Sequence, residues 1–343
     1  MKLLYVRTVV TNSPTEAAEF IKNGGIVAFP TETVYGLGAN VFDPEAVAKI
    51  FEAKRRPADN PLIAHVASLE QIRELVSDID QNAQKFIDRF FPGALTLVLP
   101  KSDRVPMIAT AGLDTIGVRM PRHELARLFL NACGVPVVAP SANLSGKPSP
   151  TTWRSVLEDL DGRIDCILQG DATEIGLEST VADCTGDVPV LLRQGAISLS
   201  ELQAVVPETV AYEAVAADVP RSPGLKHKHY SPRAHVVLVP VSTGNDSDRG
   251  SDRSIGTSQR SENPQSLSFP ALTSSSAFIG ASEPAETFAI KLVCDTVDEY
   301  AHSLFEFFRE CDRAAIQTIY CEEVSEVGIG AALMDRLRRA AEA

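Results

Sequence analysis

The sequence predicts an α/β fold, because helix-like and strand-like segments alternate from about residue 10 to residue 205. Capping signals followed by apolar residues at helical spacing mark the helices, and short apolar runs between them mark the strands. The chain has 343 residues, of which 44% are hydrophobic and 22% charged. This composition is typical of a globular protein, and the length favours two domains. The pattern alone leaves strand order and direction open.

Helix starts are marked by capping residues. Ser13-Pro14-Thr15-Glu16 predicts a capping box with proline in the first turn, and Gly24-Gly25 predicts the end of that helix. Asp43-Pro44 opens a second helix, which Pro57 ends. Further helix starts are expected at Ser68 to Gln71, at Ser149-Pro150 and at Ser198 to Glu201. Strands are expected at residues 26–29, 95–99, Thr115–Arg119, Val137–Ala139, around Val181 and at 190–192.

The chain changes character after this region. Residues 206–235 are irregular and contain the string SPGLKHKHYSP, which favours an ordered linker. Residues 236–343 are expected to form a small Rossmann-like domain that begins with a strand at 236–240, with a helix at Val297–Arg313 and a strand at 316–320. A serine-rich insert at 243–276 interrupts this domain and is expected to be disordered, with structure resuming near Phe288.

Charge and cysteine content weigh against several classes of protein. The net charge of −13 and the pI of about 5.0 argue against a broad nucleic-acid-binding surface. The six cysteines show no CxxC pair, which argues against a zinc site and a disulfide framework and favours buried thiols. The chain has no apolar run of about 18 residues and no recognisable signal peptide, so a cytoplasmic location is expected.

The sequence contains no phosphate loop, HExxH or GxSxG motif. Five polar segments are therefore the candidates for the functional site. The segments are PTETVYGLG (30–38), KRRPADNPLIAHV (54–66), TIGVRMP (115–121), APSANLSGKPSPT (139–151), and GLESTV (176–181) with LLRQG (191–195). Hydroxyls and cations after strands are typical of anion sites in α/β proteins.

Each segment also has a structural interpretation. The first is equally well a polar turn that satisfies its own backbone. Lys54 ends a helix, where a cation is favoured, and a lone histidine such as His65 is more often simply buried. Arg119 lies in an apolar strand and needs either a ligand anion or an internal acid as its partner. Ser149 is expected to cap a helix, to bind a ligand, or both.

Together, and in this order, the segments resemble the YrdC/YwlC family of threonylcarbamoyl-AMP synthases. The resemblance rests on PTETVYGLG, the KxR of Lys54 and Arg56, NPL with His65 nearby, GVRMP, the SxN of Ser141 and Asn143, GKPSPT and ESTV. It covers about residues 10–200. SPGLKHKHYSP and the terminal GIGAALMDRLRRAA extend it to the long form, with a catalytic domain at 10–205, a linker at 206–235 and a C-terminal domain.

The resemblance implies a twisted mixed sheet around a concave cavity, followed by a Rossmann-like domain. It implies an enzyme that converts L-threonine, bicarbonate and ATP, with Mg²⁺, into threonylcarbamoyl-AMP and pyrophosphate. A partner complex then modifies adenosine 37 of tRNAs that read codons beginning with A. No tight direct binding of nucleic acid and no membrane association are expected.

The resemblance also assigns residues to ligands. Threonine would be held by Thr33, His65, Arg119, Ala139 and Ser179. ATP would be held by Arg56, Asn60, Thr115, Ser141, Ser149, Arg193 and Tyr230. Lys54, Arg56, Ser141 and Asn143 would neutralise or orient phosphates as the catalytic set, the linker would close over the site as a lid, and Mg²⁺ would be bound mainly through the ATP phosphates.

Three other functions share features with this sequence. A carbamoyl-transfer enzyme of hydrogenase maturation would carry CxxC repeats, which are absent from the sequence. A double-stranded RNA-binding module is disfavoured by the acidic pI of about 5.0. A regulatory protein that retains the fold without catalysis is disfavoured by the complete set of polar motif residues.

Overall fold

The computed structural model describes residues 7–212, 231–240 and 275–342, which form two sheets flanked by helices. The first sheet contains β1 (Val9–Thr11), β2 (Val27–Phe29), β3 (Gly36–Asn40), β4 (Ile63–His65), β5 (Leu95–Pro100), β6 (Thr115–Arg119), β7 (Val137–Ala139), β8 (Cys166–Leu168), β9 (Thr180–Asp183), β10 (Val190–Arg193) and β11 (Val210–Ala211). Its helices are α1 (Pro14–Lys22), α2 (Pro44–Lys54), α3 (Leu69–Leu75), α4 (Gln81–Phe90), α5 (Glu124–Cys133), α6 (Trp153–Leu160) and α7 (Leu199–Val205).

The first sheet is mixed, with strand order β1-β8-β2-β3-β7-β4-β6-β5-β9-β10-β11. β4 pairs with β6 in parallel and with β7 in antiparallel orientation. Alternate residues of these strands face opposite sides. Ala64, Val118 and Val138 contribute to the large hydrophobic cluster under α2 to α4, whereas Val137 and Ala139 pack with Phe29 in the cluster of α1 and α5. The α/β class and the mixed sheet expected from the resemblance are confirmed.

Most of the expected helix starts are confirmed, with one correction. Ser13, Asp43, Ser68 and Ser198 each accept a backbone N–H as N-cap residues, and Ser198 with Glu201 forms a full capping box. The helix expected at Ser149-Pro150 begins later, at Trp153, and Thr152 is its N-cap. Capping by Ser149 was therefore wrong, because the two residues after Pro150 stay outside the helix.

The second sheet is fully parallel, with order β12-β15-β13-β14. It contains β12 (His235–Val239), β13 (Ser276–Gly280), β14 (Ile290–Val293) and β15 (Thr318–Glu322), with helices α8 (Val297–Arg313) and α9 (Ile329–Ala341). The expected restart of structure near Phe288 was wrong, because β13 already begins at Ser276. Ser276 is buried and begins β13, a strand with neighbours on both sides, so any insert ends before it. The remainder of the insert lies outside the described residues.

The two sheets share an interface. Leu177 and Val34 of the first domain belong to the hydrophobic cluster built by α8, α9 and the second sheet. All six cysteines are free and buried, as expected. No helix within the described ranges is long and apolar enough to cross a membrane.

Candidate active site

A cavity lies across four adjacent strands, β3, β7, β4 and β6. The register explains its lining, because His65 is paired with Arg119 and Ile63 is paired with both Gly117 and Ala139. Residues paired across strands face the same side, so His65, Arg119 and Ala139 share one face with Ile63. Since β4 and β7 run in opposite directions, the cavity follows this face instead of lying at one carboxyl edge of the sheet. The residues lining it are Thr31, Thr33, Val34, Gly36, Arg56, Ile63, His65, Arg119, Ala139, Pro140, Ser141, Asn143, Lys147, Ser149, Glu178, Ser179 and Arg193.

The lining is rich in cations although the whole chain is acidic. Its positive groups come from Arg56, Arg119, Lys147 and Arg193. Among the described lining residues, Glu178 is the one acidic side chain. Such a cavity favours anionic ligands, and its walls of low dielectric strengthen that preference.

Arg119 is held in the cavity wall by two partners from the first polar segment and by the carbonyl group of Gly93. Its Nη1 donates to Thr33 Oγ1 at 2.7 Å and its Nε to the carbonyl oxygen of Gly93 at 3.1 Å. Its Nη2 lies 2.7 Å from Glu32 Oε1, but the N–H is not directed at that oxygen, so charge attraction dominates this pair. The alternative of an internal acid as partner is therefore realised by Glu32. Burial alone would raise the pKa of Glu32, but the charge of Arg119 outweighs it and lowers the pKa.

His65 lies beside this pair as a neutral ring. Burial, followed by the positive charge of Arg119, lowers its pKa to about 3. The ring Nδ1 lies 3.1 Å from the carbonyl oxygen of Ile63, and this contact requires a hydrogen on Nδ1. Phe29 packs edge-on against the ring, with centroids 5.6 Å apart. At neutral pH, His65 therefore adds shape and polarity to the cavity but no charge.

Lys54 lies behind the cavity wall instead of lining it. The left-handed conformation of Arg55, with φ of 52°, ends α2 directly after Lys54. Lys54 Nζ donates to the carbonyl oxygens of Ser141 and Asn143, both at 2.5 Å, and is 1% exposed. Burial lowers its pKa well below the usual value, helped by the charge of Arg56. This position does not support the expected contact of Lys54 with phosphates. It supports a role for Lys54 in orienting the loop after β7.

The loop after β7 brings Ser141, Asn143 and Lys147 to the cavity. Ser141 Oγ donates to Asn143 Oδ1 at 2.6 Å, and Asn143 Nδ2 donates to the carbonyl oxygens of Leu144 and Lys147. The SxN pair therefore fixes a tight loop whose residues Ser141, Asn143 and Lys147 line the cavity.

Ser149 and Ser179 contribute further hydroxyls to the cavity wall. Ser149 Oγ donates its hydrogen to Glu178 Oε1 at 2.5 Å, so towards a ligand it presents acceptor lone pairs. Ser179 Oγ lies 2.8 Å from Thr96 Oγ1 and accepts from Arg193 Nη2 at 3.2 Å. Arg193 also donates through Nε to the carbonyl oxygen of Ser179 at 3.0 Å, which fixes the guanidinium in the wall.

Three expected ATP residues lie at or beyond the margin of this cavity. Arg56 lines it and donates to the carbonyl oxygens of Asn60 and Pro61 at 3.3 Å. Thr115 instead lines a small adjoining recess with Pro61 and Leu113, joined to the cavity at Ile63. Asn60 is buried, and within the described residues its Nδ2 makes no hydrogen bond. Tyr230 and most of the expected lid lie outside the described residues.

Sequence reasoning missed the acidic residues that hold the site. Glu32 lies between two threonines in the first polar motif, and Glu178 directly precedes Ser179 in the fifth, and these positions were the available signal. Asp159, Arg309 and Arg336 carry no local signal, since their contacts to the wall join residues that are distant in the sequence.

Comparisons with known proteins cover the chain almost from end to end. Residues 19–195 match the Sua5/YciO/YrdC family model, described as "Telomere recombination". Residues 197–342 match the model described as "Threonylcarbamoyl-AMP synthase, C-terminal domain".

Curated relatives include the threonylcarbamoyl-AMP synthase of Pyrococcus abyssi, 46% identical over 94% of this chain and 92% of the relative. The threonylcarbamoyl-AMP synthase of Bacillus subtilis is 40% identical over 96% and 94% of the two chains. The crystal structure of Pyrococcus abyssi Sua5 complexed with L-threonine is 41% identical, covers 98% of this chain and 97% of that one, and has a TM-score of 0.83. The chain therefore belongs to the Sua5/YciO/YrdC family, in the long form that carries the Sua5 C-terminal domain.

Proposed function

We propose that this protein is a threonylcarbamoyl-AMP synthase, which forms threonylcarbamoyl-AMP and pyrophosphate from L-threonine, bicarbonate and ATP. The observation that carries the proposal is the cation-rich cavity assembled from all the polar motifs, in a chain 46% identical to a synthase over 94% of its length. The complex of the Pyrococcus abyssi protein with L-threonine adds support for the amino-acid substrate.

The two ends of the cavity suit two different ligands. Arg119, Thr33, His65, Ala139 and Ser179 would receive threonine, with the guanidinium of Arg119 facing its carboxylate. Arg56, Ser141, Ser149 and Arg193 would receive the nucleotide. Ser149 presents acceptor lone pairs, so it fits a ribose hydroxyl or an adenine amino group better than a phosphate oxygen.

The reaction needs no nucleophile from the protein. The amine of threonine and bicarbonate give a carbamate with loss of water, and a carbamate oxygen then attacks the α-phosphorus of ATP. The new P–O bond forms as the bond to the leaving pyrophosphate breaks. The task of the site is to bring a carboxylate, a carbamate and a triphosphate together against their mutual repulsion, which fixed cations such as Arg56, Arg119 and Arg193 offset.

A Mg²⁺ ion fits this cavity as a companion of the triphosphate. Mg²⁺ commonly binds to one or two carboxylates at most, together with substrate phosphates and water. Glu178, the acidic residue of the described lining, is already bonded to Ser149 and Arg336. Bound phosphate oxygens would therefore supply most of the ligands, and the ion would offset the charge of the phosphates when bound.

The product would serve tRNA modification. A separate complex would transfer the threonylcarbamoyl group to adenosine 37 of tRNAs that read codons beginning with A, in the cytoplasm. The net charge of −13 supports a division of labour in which this chain makes the intermediate and another component holds the tRNA.

The test is mass spectrometry of the products formed from ATP, bicarbonate, L-threonine and Mg²⁺, with pyrophosphate release measured in parallel. We expect threonylcarbamoyl-AMP when all four are present, and no adenylate when bicarbonate is removed. An AMP–threonine ester formed without bicarbonate would identify an ordinary aminoacyl adenylase and overturn the proposal.

A further inference from the structure

Two buried arginines of the C-terminal domain reach carboxylates of the first domain, and each carboxylate also binds a residue of the cavity wall. Arg309 of α8 contacts Asp159, and Arg336 of α9 contacts Glu178. The side chains of Arg309 and Arg336 are 5% and 0% exposed, so neither contact is a surface ion pair.

The first chain of contacts runs from α8 to the loop after β7. Arg309 Nη2 donates to Asp159 Oδ2 at 2.9 Å and to the carbonyl oxygen of Pro148 at 2.5 Å. Asp159 Oδ1 accepts from Lys147 Nζ at 2.7 Å, and its Oδ2 accepts from the backbone N–H of Leu144 at 3.3 Å. Burial alone would raise the pKa of Asp159, but Arg309 and then Lys147 outweigh it and lower the pKa. A charged carboxylate thus joins α8 to Lys147, which lines the cavity.

The second chain of contacts runs from α9 to Ser149 in the cavity wall. Arg336 uses three nitrogens in three directions: Nε to Glu178 Oε2 at 3.0 Å, Nη2 to the carbonyl oxygen of Gln194 at 3.0 Å, and Nη1 to Asp335 Oδ2 at 2.7 Å. The other oxygen of Glu178 accepts from Ser149 Oγ at 2.5 Å. The orientation of the Ser149 hydroxyl therefore depends on a carboxylate that α9 holds in place.

Loss of either arginine would change the wall, because a buried carboxylate without its partner is strongly destabilising. Asp159 would keep Lys147 as its remaining cation and draw the ammonium away from the cavity. Glu178 would lose the guanidinium that fixes its rotamer, and Ser149 would lose its fixed acceptor direction. Neither Lys147 nor Ser149 is a partner of Arg119, whose contacts are to Glu32, Thr33 and Gly93.

We infer that Arg309 and Arg336 are positioning residues through which the C-terminal domain fixes Lys147 and Ser149 in the cavity wall and so sets nucleotide affinity. The inference rests on the proposed function in one respect, the assignment of this side of the cavity to ATP. It gives the C-terminal domain a role in substrate binding, although its own residues do not line the cavity within the described chain.

The experiment measures dissociation constants of Mg-ATP and of L-threonine by calorimetry on full-length Arg309→Met and Arg336→Met, with thermal unfolding of each variant. We expect ATP affinity to fall about tenfold or more in Arg309→Met, which disturbs a charged contact of Lys147, and about fivefold in Arg336→Met, which disturbs a neutral contact of Ser149. Threonine affinity should change less than about threefold in both variants. The matched control is Arg313→Met. Arg313 lies on the same helix and pairs with Glu158, the neighbour of Asp159, but at an exposed position, so both affinities should be unchanged.

Wild-type protein that binds no ATP would overturn the proposed function and this inference together. Wild-type protein that binds ATP, with variants that bind it equally tightly, would overturn the inference alone. An equal loss of affinity for ATP and threonine would show general loosening of the fold and would also overturn it.

Lysine variants keep the test decisive if either methionine variant fails to fold. Arg309 makes both of its contacts through Nη2, whereas Arg336 uses three nitrogens, so Arg309→Lys should retain more ATP affinity than Arg336→Lys. Because Arg309 acts through Lys147, Arg309→Lys should weaken ATP binding less in a Lys147→Met background than in wild type. Equal losses in the two backgrounds would contradict this route.

Discussion

Arg119 Nη2 lies 2.7 Å from Glu32 Oε1, and both side chains are buried, at 4% and 1% exposure. The pair joins β6 to the first polar segment and leaves Arg119 anchored at one end of the cavity. A buried arginine that must also meet a substrate carboxylate needs such an anchor, since its position then does not depend on the ligand.

We expect Glu32→Gln to lower the free energy of unfolding by about 3 kcal/mol, because it leaves the buried guanidinium without a counter-charge. Chemical denaturation measures this change. Glu19→Gln, which removes an exposed ion pair with Lys22, is the control and should have little effect. Equal free energies of unfolding for the two variants would show that the buried pair contributes no more to stability than the exposed pair.

Arg119→Ala should weaken L-threonine binding by about ten- to a hundredfold and ATP binding much less, since a charge-assisted bond to a carboxylate contributes about 1.5–3 kcal/mol. Calorimetry with each ligand separates the two effects. An equal loss for both ligands would mean that Arg119 supports the fold and not threonine. Arg119→Ala also leaves the Glu32 carboxylate without its counter-charge, which is a second cause of weaker binding. Repeating the comparison in a Glu32→Gln background removes this cause.

Lys54→Met should lower stability by about 1–3 kcal/mol, because two buried carbonyl oxygens lose their donor. It should also weaken ATP binding more than threonine binding, since those carbonyls belong to the Ser141–Asn143 loop. Urea denaturation and calorimetry test the two parts. Weakened ATP binding at unchanged stability would instead favour direct contact of Lys54 with phosphate.

Stability should fall as the pH is lowered from about 6.5 towards 3, partly through His65. Its pKa is about 3 in the fold, below the ordinary value of 6.5, so the unfolded chain binds the extra proton in this window. Above pH 6.5, the titration of His65 does not lower the free energy of unfolding. Below pH 6.5, it lowers the free energy of unfolding by about 1.4 kcal/mol per pH unit. Because carboxylates titrate in the same range, the measurement is the difference in slope between wild type and His65→Leu. His235→Asn, at an exposed position, serves as control, and an unchanged slope in His65→Leu would contradict the expectation.

Deletion of residues 243–273 should leave synthase activity nearly intact, since their composition is poor in large apolar residues. The deletion must stop before Ser276, which is buried at the start of β13. Product formation by mass spectrometry, with circular dichroism to establish folding, gives the answer. A folded deletion variant without product would assign the segment a catalytic role.

The sequence by itself determined the α/β class, most helix starts and the segments that build the site. Local chemistry was sufficient where a signal acts within a few residues. The expected helix Val297–Arg313 has those bounds in the structure, and Ser198 with Glu201 forms the capping box expected at the start of α7. The polar motifs predicted residues of the cavity, since each of the five segments contributes to its lining.

The tertiary structure alone decided what each polar group contacts. Arg119 donates a hydrogen bond to Thr33, which is 86 positions away in the sequence, and Arg336 donates one to Glu178, which is 158 positions away. Strand register placed His65, Arg119 and Ala139 on one face, and register depends on pairing between distant segments. Ser149 was expected to cap a helix, but its hydroxyl donates to Glu178, whose other oxygen accepts from Arg336 of α9. No local pattern encodes these contacts.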